Sequence, residues 1–284
     1  MSALKWHVIT GTFCKLMLVY TCKWISKRLS QMGQKIAFTS NEEKIATEAM
    51  DALIKLYGNC VLEEADVIVA LGGDGFMLQT LHNTQDLSAP VYGMNRGTVG
   101  FLMNAYDEKG LIKRLENSVE EKLNPLRMEA ITTDGSVKTA LAINEVSLLR
   151  AGPQAAKLSI SIDGKTRMSE LISDGVLLST PAGSTAYNYS ATGPILPIGS
   201  DLLALTALNA FRPHRWRGAL IPKRSRVEMV VLEPDKRPIM ADADSRSVKN
   251  VAQVNISSAD DIQHRILFDP GHGLEERLIS EQFI

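Results

Sequence analysis

The junction between Ala65–Leu71 (ADVIVAL) and Gly72-Gly73-Asp74-Gly75 constrains the fold of this chain more than any other segment. A strand with one wet face alternates apolar and polar side chains. This run is apolar almost throughout, so both faces must be covered, as in an inner strand of a parallel sheet. Parallel neighbours require crossovers, usually helical, and the flanking pattern supplies them. Lys35–Thr39 (KIAFT) reads as a first strand. Ser40 and Glu43 form a capping box, Ile45, Ala49, Leu53 and Leu56 recur at helical spacing, and Gly58 ends that helix. Phe76–His82 reads as helix, Pro90–Met94 as strand, and Leu111, Ile112 and Leu115 mark a further helix. The alternation predicts a doubly wound, Rossmann-like α/β domain over residues 32–123.

After Leu123 the texture changes. Arg127–Thr133, Val137–Leu149, Leu158–Ile162, Asp174–Thr180, Arg226–Glu233, Val248–Ser257 and His264–Phe268 read as strands. Asp134-Gly135 and Asp163-Gly164 are hairpin turns, and one helix is expected over Asp201–Phe211. A β-rich, sandwich-like domain is expected over 124–267. The length of 284 residues accommodates two such units.

Upstream, Val8–Ile25 is apolar but interrupted by Lys15 and Lys23, a poor membrane span. Lys5 ahead of it suits a signal peptide, yet no small-residue cleavage site follows. Residues 1–31 are expected to be an extension outside the folded core. With 31 Lys+Arg against 32 Asp+Glu, the chain lacks the basic excess of a nucleic-acid binder. Cys14, Cys22 and Cys60 are odd in number and fit no zinc spacing, which suits a reducing cytoplasm.

Ligands of open α/β sheets sit at the carboxyl ends of strands, where Gly72–Gly75 fall. The glycines allow close backbone approach to phosphate oxygens. Asp74 can accept a proton, hold a metal or simply cap the next helix. A second glycine-rich stretch, Gly93–Leu102, follows the next strand and should face the same crevice. In the β region, Asp174-Gly175 and Ser179–Tyr187 combine small residues, hydroxyls and an aromatic suited to a nucleoside, and Asn144-Glu145 can bind ribose hydroxyls or start a turn. No P-loop string, third-glycine dinucleotide fingerprint or nucleophile elbow occurs. His7, His82, His214, His264 and His272 lack ligand spacing and read as structural or exposed.

In order, GGDG, NRGTVGFL, NE and DG–STPAGSTAY–S–TGP resemble the NAD kinase family, over about residues 35–284 and including FDPGHGLEERL at Phe268–Leu278. The resemblance implies an α/β domain, a β-rich domain and a C-terminal segment, 268–284, packing back on the first. It implies phosphoryl transfer to the 2′-hydroxyl of the adenosine ribose of NAD, with Asp74 as general base. Donor phosphates, from ATP or polyphosphate with Mg²⁺ or another divalent cation, would lie on Gly72, Gly73 and Gly75. Asn144 and Glu145 match the ribose-binding pair; Asp174, Ala182, Thr185, Ala186, Tyr187 and Ser190 match adenosine- and nicotinamide-binding positions. No protein-only metal site, nucleic-acid partner or membrane partner is implied, and a homodimer or homotetramer is. Two positions depart from the family: Ile172 stands where many members carry a basic residue, whose part Arg150 or Lys157 can take, and Asp244-Ser245-Arg246 replaces a DGQ-like turn. A lipid kinase sharing a GGDG-type loop, and a non-catalytic NAD(P) sensor, are the competing readings.

Overall fold

The computed structural model describes residues 34–97 and 100–283. The expected extension, with Cys14, Cys22 and His7, and Thr98-Val99 of the second glycine-rich stretch lie outside the described residues. Among the described residues no helix is long and apolar enough to cross a membrane.

The first sheet holds β1 (Ile36–Ser40), β2 (Val67–Gly72), β3 (Val91–Asn95), β4 (Val119–Leu123) and the last strand of the chain, β17 (His264–Phe268). Their order is β1-β2-β3-β17-β4, parallel except where β4 runs antiparallel to β17. Every residue of β2 is buried, as a run without alternation requires. Its side chains are sorted two ways. Val67, Val69 and Leu71 join Ala46, Ala49 and Leu53 of α1 (Lys44–Tyr57) and Leu111 and Leu115 of α3 (Leu111–Asn117). Ile68 and Ala70 face the opposite way, with Met77 and Leu81 of α2 (Asp74–Asn83) and Leu274 of the C-terminal helix, α5 (Leu274–Glu281). Fully burying a side chain of this size stabilises by about 1.5–3 kcal/mol, so this strand anchors the sheet and fixes where Gly73 and Asp74 emerge.

The remaining strands form two antiparallel sheets. One comprises β5 (Leu126–Thr132), β6 (Val137–Ala142), β8 (Ala156–Ile162), β9 (Lys165–Ser173), β13 (Val227–Val231) and β16 (Val251–Ser258), in the order β6-β5-β16-β13-β8-β9. The other comprises β7 (Glu145–Arg150), β10 (Gly175–Ser179), β11 (Leu202–Leu208), β12 (Gly218–Pro222), β14 (Ile239–Ala243) and β15 (Arg246–Val248), in the order β12-β11-β10-β7-β14-β15. Met128, Ile160, Met229 and Val254 of the first share one core with Val146, Leu148, Val176 and Leu178 of the second. The architecture is an α/β domain followed by a β-rich, sandwich-like domain. Asp163 (φ 52°) and Gly164 (φ 73°) turn the β8–β9 hairpin with the positive angles that Asp-Gly tolerates.

The structure corrects several expectations. Asp201–Phe211 is not a helix: Leu202–Leu208 is β11, paired antiparallel on both sides and buried almost throughout. A short run that is apolar but for Thr206 carries no period, and its neighbours decide its conformation. No capping box starts α1; Glu43 is its N-cap without a side-chain bond, and Ser40 still belongs to β1. The single strand expected over Val137–Leu149 breaks at Ile143-Asn144 into β6 and β7. β17, placed by the sequence in the second unit, lies in the first sheet between β3 and β4, where apolar Ile266 and Phe268 complete its core.

Candidate active site

β2 ends at Gly72, Gly73 is the N-cap of α2, and Asp74 is the first helical residue. Asp74 therefore does not cap its helix. Its carboxylate reaches sideways, where Oδ2 accepts the amide of Phe101 (2.7 Å) and Oδ1 that of Leu102 (2.9 Å). Parallel pairing of β2 and β3 sets Gly72 opposite Asn95, and the Arg96 amide donates to the Gly72 carbonyl at 2.8 Å, so the two glycine-rich stretches meet. Gly100 must be glycine here, because a Cβ would sit 2.3 Å from Asp74 Oδ1. Gly73 and Gly75 differ: among the described residues a Cβ on either meets nothing within 4 Å, so none of them requires glycine there.

On the β-rich side, the Ile143–Glu145 turn is held by Asp244, which lies in the β14–β15 hairpin at φ 50°. Asp244 accepts the amides of Ile143 (2.8 Å), Asn144 (2.9 Å) and, more weakly, Glu145 (3.4 Å). It also meets Nε2 of His82, from α2, at 2.7 Å, with only 4% and 2% of the His82 and Asp244 side chains exposed. The helix that begins at Asp74 is thus fastened to the turn that carries Asn144 and Glu145. The Ser179–Tyr187 stretch joins the same turn: Thr180 donates its amide to Asn144 O (2.9 Å) and its hydroxyl to Ile143 O (2.7 Å). A Cβ on Gly183 would lie 2.3 Å from the Asn144 carbonyl, so this glycine is demanded by packing.

Glu145 is half-buried against this hub. Burial, and then the charge of Asp244, push its carboxyl up to about 8, and among the described residues its Oε2 has no hydrogen-bond partner. Asp174 is held below its ordinary range by the Asn209 amide (2.9 Å) and Arg150 Nε (2.7 Å), against the cost of burial. Of the two basic residues offered as replacements at the Ile172 departure, Arg150 is therefore at Asp174. Lys157, the register partner of Ile172, is tied to Glu233 at 2.7 Å. Tyr187 and Ser190, the ends of the short helix α4 (Tyr187–Ser190), are exposed and Thr185 and Ala186 half-buried, while Ala182 packs against the α2 side of the first sheet. Ser184 is buried and its hydroxyl donates to Pro181 O (2.7 Å), in keeping with the lack of a nucleophile elbow. Arg246 is exposed on β15.

Sequence reasoning missed the hub. Asp244 stood out only as a departure from a turn motif, and His82 as a scattered histidine. It also missed Asp269, which accepts Tyr92 Oη (2.8 Å) and Arg114 Nη2 (2.5 Å) beside an open cavity of about 720 Å³. That cavity is lined by Gly100, Phe101, Met103, Asn104, His272 and Arg277, among others. Among the described residues no three metal-ligating side chains converge.

An open glycine turn at the end of a parallel strand, beside a carboxylate fixed by backbone amides and on a helix tied to a polar turn of a second domain, suits a nucleotide phosphotransferase. Comparison with known proteins narrows it. Family models described as the ATP-NAD kinase N-terminal and C-terminal domains match residues 18–123 and 143–261; the first match begins inside the expected extension. An NAD kinase of Cereibacter sphaeroides (strain ATCC 17029 / ATH 2.4.9) is 64% identical over 251 residues, 88% of this chain and 99% of that relative. Yeast NADH kinase, solved with NADH, superposes with a TM-score of 0.76 at 21% identity, covering 88% of this chain and 87% of that one. An NAD kinase from Archaeoglobus fulgidus, solved with ATP, superposes at 0.71 and 21% identity, covering 87% and 98%. The chain belongs to the ATP-NAD kinase family, and it is a kinase.

Proposed function

We propose that this enzyme transfers the terminal phosphoryl group of ATP to the 2′-hydroxyl of the adenosine ribose of NAD, giving NADP and ADP, with Asp74 as the base. The observation that carries the reading is the tie between two elements: α2, which presents Asp74, is fastened through His82 and Asp244 to the turn bearing Asn144 and Glu145. A base and a ribose-binding pair held in one frame is what such a transfer requires.

A ribose hydroxyl is a weak nucleophile at neutral pH. As its oxygen forms the new bond to phosphorus and the donor's terminal P–O bond breaks, its proton passes to the Asp74 carboxylate. Each carboxylate oxygen accepts one amide and keeps a second lone pair for that proton. The open faces of Gly73 and Gly75, at the N-terminus of α2, suit donor phosphates. Glu145, uncharged near neutrality, can both donate to and accept from a ribose hydroxyl. Asp174, Ala182, Thr185, Ala186, Tyr187 and Ser190 are assigned to the nucleosides of NAD. ATP rather than polyphosphate is favoured by the family's description and by the ATP-bound Archaeoglobus fulgidus relative. A divalent cation, when bound to the donor, neutralises charge on its phosphates. We assign the reaction to NADP biosynthesis in the cytoplasm, by a homodimer or homotetramer.

The test is NADP formation from NAD and Mg²⁺ with ATP or polyphosphate, read by an NADP-specific dehydrogenase. Product with ATP that is lost in Asp74→Asn is the expected result. Binding of NAD without turnover by either donor would instead describe a sensor, and saturable binding of a lipid but not NAD would describe a lipid kinase.

A further inference from the structure

Arg277, on α5, spends its hydrogen bonds on backbone. Its Nη1 donates to the carbonyls of Gly100 (3.1 Å), Phe101 (2.8 Å) and Met103 (2.7 Å), and its Nε to that of His272 (2.9 Å). The guanidinium is half-buried, 5.3 Å from the centre of the Phe268 ring. Two of these carbonyls belong to peptide groups whose other end is already engaged. The Gly100–Phe101 peptide gives its oxygen to Arg277 and its N–H to Asp74 Oδ2, and the Phe101–Leu102 peptide gives its oxygen to Arg277 and its N–H to Asp74 Oδ1. A trans peptide is planar with its C=O and N–H pointing opposite ways, so each bridges the cation to one carboxylate oxygen. Hydrogen bonds in such a chain polarise one another.

We propose that Arg277 is a positioning residue for the base, acting through these two peptide groups to fix the orientation of both oxygens of Asp74 toward the ribose proton. The inference rests on the reading of Asp74 as base and adds to it the residue that sets its orientation. It also gives the C-terminal segment a task. Leu274 and Leu278 are buried, Leu274 among Met77 and Leu81 of α2, so α5 is docked on the same face of the sheet as the helix it controls. The ionised groups around the carboxylate are Arg277 and, acting on Arg277 in turn, Asp269, itself paired with Arg114. β2 brings no ionisable side chain and β3 only Tyr92, which is bonded to Asp269.

The test uses the full chain with Arg277→Lys, Arg277→Gln and Gly100→Ala, each alone and in the Asp74→Asn background. Gly100→Ala reaches the carboxylate from the other side, since its Cβ would lie 2.3 Å from Oδ1. Arg277→Gln should lower kcat roughly 10–100-fold with KM for NAD within about threefold, the usual consequence of a misplaced base. Arg277→Lys should recover part of the loss in kcat, Gly100→Ala should reproduce that loss, and none of the three should reduce the residual rate of Asp74→Asn further. Losses that multiply with that of Asp74→Asn, a change in KM alone, or a fall in thermal stability with kcat per folded molecule unmoved would overturn the proposal. Asp74→Asn alone tests the underlying reading: near-normal turnover there removes the base itself, whereas an inactive Asp74→Asn beside unaffected Arg277 variants removes only the relay.

Discussion

Asp74 and Asp244 solve the same structural problem in two regions of the molecule and end with different work. Each carboxylate gathers backbone amides from a loop distant in sequence, Asp74 those of 101 and 102, Asp244 those of 143 to 145. The Asp244 side chain is 2% exposed and its remaining capacity goes to His82. Asp74 is half-buried, beside open glycines, with a lone pair left on each oxygen. The difference teaches that an amide-bound carboxylate is neither catalytic nor structural by its bonds alone; access decides. A sealed carboxylate joins two domains, and an open one can meet a substrate.

The comparison breaks most sharply on paired substitutions. Asp74→Asn should lower kcat by roughly 10²–10⁴, the usual worth of a general base, with little change in the urea midpoint. Asp244→Ala should do the reverse in emphasis: removing one partner of a buried pair costs about 3–5 kcal/mol, visible in urea unfolding before any assay. A severe stability loss in the first, or none in the second, would erase the distinction. The glycines extend it. Gly183→Ala should cost about 1–3 kcal/mol for overpacking against the Asn144 carbonyl, while Gly75→Ala should leave stability unchanged and raise KM for ATP severalfold.

The last prediction concerns the pH dependence that Glu145 brings. Its carboxyl rises from an ordinary 4.5 to about 8 in the fold. Between those values the native state keeps a proton that the unfolded chain has released, so stability falls as pH rises through that window. Glu145→Gln should remove this slope, measured as the unfolding midpoint from pH 5 to 8. His264, pushed down to about 4 by burial and by neighbouring His82, acts with the opposite sign below its ordinary 6.5 and serves as the internal control.

Much of the fold was readable because one period or its absence dominated. The apolar run of β2 announced a doubly covered strand, and Asp163-Gly164 announced its hairpin. Leu202–Leu208 failed because LLALTAL suits a buried strand and a buried helix equally, and only pairing with β10 and β12 settles it. β17 was recognised as a strand but put in the wrong sheet, since a strand's sequence does not state which edge it will join. At the site, GGDG and the NE turn were visible as local strings. The Asp244–His82 tie, 162 residues apart, was not, nor was the Arg277 relay, because its partners are carbonyls that every residue possesses.

By itself the sequence determined which backbone stretches are strands buried on both faces, where glycine and aspartate punctuate them, and through those strings the family. Only the tertiary structure decided what each carboxylate does. The physical reason is that a side chain's chemistry is set by its type, but its protonation, orientation and access are set by neighbours contributed from far along the chain.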